Sequence, residues 1–124
     1  MFQFQSRQVF AIVCFAGLVS FGTMSLGQSE EKPSVKQIMK DAFKGDLLRK
    51  VGTGQASDQE KAKLLSYAKI MGEASPPKGD ADSWATKTKA FIEAAQAAVD
   101  GKEDAPALLK KSTNCKACHG PHKP

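Results

Sequence analysis

The chain has 124 residues, 41% of them hydrophobic and 25% charged, with a formal net charge of +5. That is one small ordinary domain, and it excludes a multidomain enzyme. Three cysteines rule out a disulfide-dense scaffold, and two histidines leave few residues for nitrogen-based chemistry.

The first 27 residues carry a single charge, Arg7. Behind it residues 9–21 form an apolar run, and Ser25-Leu26-Gly27 puts small residues at the positions a signal peptidase reads. Residues 1–27 are therefore expected to be a cleaved secretory signal peptide. A transmembrane helix needs about 20 apolar residues. Here Gly17, Ser20, Gly22 and Thr23 dilute the run first, so no stable membrane insertion is expected after cleavage. Cys14 and Met24 leave with the leader. The mature chain is basic and exported, its expected location is the periplasm, and it is small enough for a cofactor to serve as a staple.

Residues 28–33 are polar, end in a proline and are expected to form a disordered lead-in to a domain at residues 34–124. Its first segment places Val35, Ile38, Met39, Ala42, Phe43, Leu47, Leu48 and Val51 at helical period behind a Ser34/Gln37 capping box. This predicts one helix reaching Gly52-Thr53-Gly54. Ser57 and Glu60 form a second capping box, opening a helix with Leu64, Leu65, Ala68 and Met71 on its apolar face and Gly72 as its expected C-cap. Ser75-Pro76-Pro77-Lys78-Gly79 cannot continue a helix and is expected to turn the chain.

Asp80 caps a third helix along which Trp84, Thr88, Phe91, Ile92, Ala95 and Ala98 keep the 3.6 period until Gly101. A fourth is expected to start near Asp104 with Pro106 in its first turn, to carry Leu108 and Leu109, and to end near Gly120 because Pro121 disfavours helical geometry before it. No segment alternates with period 2. The expected fold is all-α, an antiparallel up-down-up-down four-helix bundle with short connections.

The chemistry concentrates in Cys115-Lys116-Ala117-Cys118-His119, the C-x-x-C-H pattern of covalent haem attachment. On a helical turn two thiols three residues apart share a face and can bond one porphyrin edge, while the next residue offers an imidazole to the iron. An export signal and the absence of any other mature cysteine agree with this. Three rivals use the same residues. Zinc on Cys115, Cys118, His119 and His122 would need a wider gap between the Cys and His pairs. A redox dithiol wants a βαβ setting, and a disulfide across two residues would constrain the unfolded chain little.

With its leader, four helices and a C-terminal C-x-x-C-H, the chain resembles the class II c-type cytochromes, the cytochrome c′ family, in its six-coordinate low-spin Met/His form; Ile38-Met39-Lys40 in the first helix adds to the likeness. The resemblance implies one covalently bound haem c, Cys115 and Cys118 as its thioether sites, His119 as proximal iron ligand and a methionine of the first helix as distal ligand. Five-coordinate members of the family leave that position open to small gases. Pro121 departs from the family's longer C-terminal helix.

Bundle geometry brings the start of the first helix, the end of the second, the start of the third and the end of the fourth to one level, so Met39 is the expected sixth ligand and Met71 its competitor; either residue could also be plain core packing. Phe43, Trp84 and Tyr67 are candidates to line the haem pocket. His122 is expected to be an exposed tail residue. Lys110, Lys111, Lys116 and Lys123 are expected to form a basic rim that steers acidic redox partner proteins.

The function expected is that of a monohaem carrier of single electrons and not an enzyme, since no nucleophile–base set or phosphate loop is present. The alternative is binding or sensing of nitric oxide or carbon monoxide at a vacant distal position. Nucleic acid is not an expected partner of an exported chain with mixed, modest charge; a homodimer would suit a bundle of this kind.

Overall fold

The computed structural model describes residues 31–124. The expected signal peptide, with Cys14 and Met24, and the first residues of the lead-in lie outside them. The described chain is all-helical, and no strand occurs among the described residues. Helix α1 (Val35–Ile38) passes directly into a π-helical turn at Met39–Phe43, followed by α2 (Leu47–Gly52), α3 (Asp58–Glu73), α4 (Ala81–Val99), α5 (Ala105–Ser112) and α6 (Cys115–His122). None of these is long and apolar enough to cross a membrane.

The long helices start where local chemistry says they should. At α3 the Ser57 hydroxyl accepts from Glu60 N while the Glu60 carboxylate accepts from Ser57 N, so the capping box is complete. Asp80 accepts from Ser83 N at the start of α4. Gly101, at φ +70°, follows α4 in the left-handed conformation that a stopping residue needs.

The expected helix boundaries fail in several places, two of them through a close approach at a glycine and one through local capping. The first helix is not continuous: Lys44 N reaches back five residues to Met39 O, and the chain then bends at residues 44–46. A side chain at Gly45 would collide with the Asp41 carbonyl, so the backbone folds tightly over itself only because none is there. Gly72 does not cap α3, which continues to Glu73. A Cβ on Gly72 would meet Ile92 at 3.0 Å, so this glycine instead lets α3 and α4 approach.

The fourth expected helix is two helices. Leu109 O accepts from Thr113 N and from the hydroxyls of Ser112 and Thr113, which uses up the last turn of α5 locally. Asn114 then starts α6 afresh, its side chain accepting from Lys116 N and Ala117 N. α6 also runs past Gly120 and contains Pro121.

One apolar core joins these elements. Ile38, Leu64 and Leu109 are its largest fully enclosed side chains. Met71, Trp84, Phe91 and the alanines 94, 95, 97 and 98 complete its centre. The small alanines leave room for α5 to lie close on α4, and burial of this surface is the main favourable term in folding. The indole N–H of Trp84 donates to Met71 O at 3.1 Å and Ala74 O at 2.9 Å, locking the start of α4 to the end of α3.

Candidate functional site

The C-x-x-C-H residues occupy the first turns of α6, where Asn114 supplies the N-cap. Cys115 is exposed, Cys118 is half-buried and both thiols are free. His119 is exposed. Burial pushes the Cys118 thiol above its usual range; the Lys87 ammonium on α4 opposes that shift and the Cys115 thiol adds to it. Residues 115, 118 and 119 lie within one helical turn, so the two sulfurs and the imidazole share a face.

His122 is the correction with most consequence. Expected as an exposed tail residue, it is 3% exposed. Its Nδ1 lies 2.8 Å from Lys78 O and its Nε2 lies 3.2 Å from Ser83 Oγ. Trp84 packs edge-on against the ring, with centroids 5.3 Å apart. Pro121 is the reason a buried tail is unexpected from sequence. In a helix interior proline costs about 3 kcal/mol or more, but here it falls in the last turn and the anchored residue just beyond it keeps the turn in place.

Trp84, an expected pocket residue, therefore sits between Met71 and His122, tying the end of α3 to α6. Met71 is buried, and Met39 is half-buried against the core. Lys32 pairs with Glu73 at 2.7 Å, and Tyr67 Oη donates to Asp41 at 3.5 Å. These two contacts run α1 antiparallel to α3. Phe43, another expected pocket residue, packs tilted against Phe91 with ring centroids 5.5 Å apart, which sets the level of the π-helical turn against α4.

The residues present fit a covalently bound haem on the chemistry of the donor set: two reduced thiols and an adjacent accessible imidazole. They fit the rivals less well. Both ring nitrogens of His122 are taken, so it is not free to complete a four-ligand zinc site. Among the described residues no group of three or more His, Cys, Asp or Glu is gathered for a metal ion. Lys110, Lys111, Lys116 and Lys123 are all exposed.

Asn114 and His122 are the site residues that sequence reasoning missed. The Ser-Thr-Asn run before Cys115 was the signal for a new N-cap; nothing local signalled the burial of His122. No protein-family model, no characterised protein and no solved structure matches this chain.

Proposed function

We propose that this chain is an exported monohaem c-type cytochrome that carries single electrons between redox proteins in the periplasm and makes or breaks no substrate bond. The observation that carries the reading is the pairing of two free thiols with His119 on one turn of a separately capped helix. Cys115 and Cys118 would hold the haem c through thioethers, each formed by adding S–H across a carbon–carbon double bond, which requires reduced cysteines. When bound, the iron supplies a one-electron Fe(III)/Fe(II) couple.

The chain's own residues do the rest. His119 would serve as proximal ligand and Met39 as distal ligand, with Met71 as competitor, a thioether raising the potential. Trp84 and Phe43, both packed into the apolar interior, keep water from that end. In this reading the helices form an up-down-up-down four-helix bundle, with α1 and α2 together as its first member and α5 and α6 together as its last. The exposed lysines 110, 111, 116 and 123 attract an acidic partner from a distance, at a rate that falls as salt rises.

Coexpression with a haem-attachment system tests this. Intact mass should show one haem per chain, lost in the Cys115→Ser/Cys118→Ser double variant. Colourless native protein overturns the proposal. A low-spin ferric spectrum abolished by Met39→Ala supports electron transfer, the same loss in Met71→Ala instead moves the ligand to Met71, and a high-spin spectrum indifferent to both points to gas binding.

A further inference from the structure

His122 lies outside the attachment motif, yet it is the one buried residue of α6. Lys78 O can only accept, so the 2.8 Å contact assigns the ring proton to Nδ1. Nε2 then accepts from the Ser83 hydroxyl, whose oxygen accepts in turn from Lys87 Nζ at 3.0 Å. The Trp84 ring meets the imidazole edge-on, at 76° between planes. Gly79, at φ +85°, leaves space for this contact: a Cβ there would fall 2.5 Å from Pro121 O and 3.0 Å from His122 Nδ1. A turn carbonyl, an α4 hydroxyl and an aromatic edge converge on one ring.

We propose that His122 is the positioning residue of the attachment helix: it seats α6 on α4 and the turn at residues 75–80, and so fixes how Cys118 and His119 are presented. An isolated helix needs about 12–15 residues to be stable in water, and α6 has 8. It must therefore be held from outside itself. Cys118 stands one turn before His122 on the same side, so the contacts that hold the imidazole also keep that thiol half-buried. Without them α6 frays and Cys118 becomes as accessible as Cys115. The effect on iron rests on the function proposed above; the seating of α6 does not.

The test uses the full chain purified without haem and compares alkylation of Cys118 with that of Cys115, alongside amide exchange in α6. His122→Ala should raise the Cys118 rate and α6 exchange about tenfold, the factor that loss of roughly one net hydrogen bond gives, with α3 and α4 still protected. His122→Asn, whose amide nitrogen falls near the place of Nδ1, should restore most of the difference. Gly79→Ala should reproduce the release without changing any residue of α6, and Ser83→Ala should give a smaller one.

Unchanged alkylation in His122→Ala, or no rescue by His122→Asn, overturns the proposal. If His122→Ala does not fold, wild-type rates in both Gly79→Ala and Ser83→Ala overturn it equally. In haem-loaded protein His122→Ala should shift the reduction potential and the ligand-field spectrum, and His122→Asn should return them. Identical spectra and potentials overturn the link to the iron. A chain that takes up no haem removes the function proposed above and leaves the alkylation result standing.

Discussion

The α3–α4 hairpin and α6 are built on opposite plans. The hairpin consists of two long helices, each started by a side-chain cap, closed against one another through Gly72 and pinned by the Trp84 indole. α6 is short and mostly exposed. It is held by a cap at one end and by His122 at the other. Buried surface is thus concentrated in the hairpin, while the thiols and His119 sit on a mostly exposed arm. Only a rigid neighbour lets an exposed arm keep a fixed geometry.

Trp84→Ala should erase the distinction, because it removes the lock of the hairpin and the surface on which His122 rests together. It leaves the Met71 and Ala74 carbonyls without their indole donor, and truncation of a buried aromatic costs about 3–5 kcal/mol. Chemical denaturation should show a large fall in the unfolding midpoint, and α6 protection should fall with it. A loss under about 1 kcal/mol would mean the indole is not the keystone of this end.

A matched pair of cap deletions sharpens the comparison. Ser57→Ala and Asn114→Ala each remove one N-cap, worth about 1 kcal/mol. The first should lower the global melting temperature. The second should leave that transition nearly unmoved and instead raise amide exchange and Cys118 alkylation in α6 alone. Equal global effects from both would show that α6 unfolds only with the hairpin.

The smallest effect is electrostatic and belongs to the hairpin's rim. Glu60 is held below the ordinary carboxylate range, first by the hydrogen bond from Lys50 and then by Ser57 N, and Lys50 is raised by the same contact. A lowered carboxyl stabilises the fold above its unfolded pKa and loses that contribution as pH falls through the folded value. A raised lysine contributes below its own unfolded value and loses this only as pH climbs beyond it. Glu60→Gln should therefore reduce the acid sensitivity of unfolding slightly, by an amount that shrinks as ionic strength rises, with no change in α6 exchange. Solvent still reaches this half-buried pair, and pairs so placed are worth little, so a large effect would contradict that setting.

Much of the hairpin was legible because its signals are local. Ser57 with Glu60, Asp80, the two prolines of the turn and the spacing of Leu64, Ala68, Trp84, Phe91 and Ala95 each act within one or two helical turns. The breaks were not. Gly45 interrupts the first helix through a backbone approach that no periodicity reveals, and Gly72 is ambiguous because a glycine near a helix end has two uses. At the candidate site the motif residues were plain, whereas the partners of His122 lie 39 and 44 residues away in sequence.

The residues themselves determined that this chain is helical, where its long helices begin, and that Cys115, Cys118 and His119 share a turn, because capping, proline geometry and the 3.6 period are short-range effects. Only the tertiary structure decided that Gly72 serves helix contact and that His122 is anchored inside. Those outcomes depend on which distant carbonyl, hydroxyl or ring arrives at a given place, and that is fixed by packing around the core.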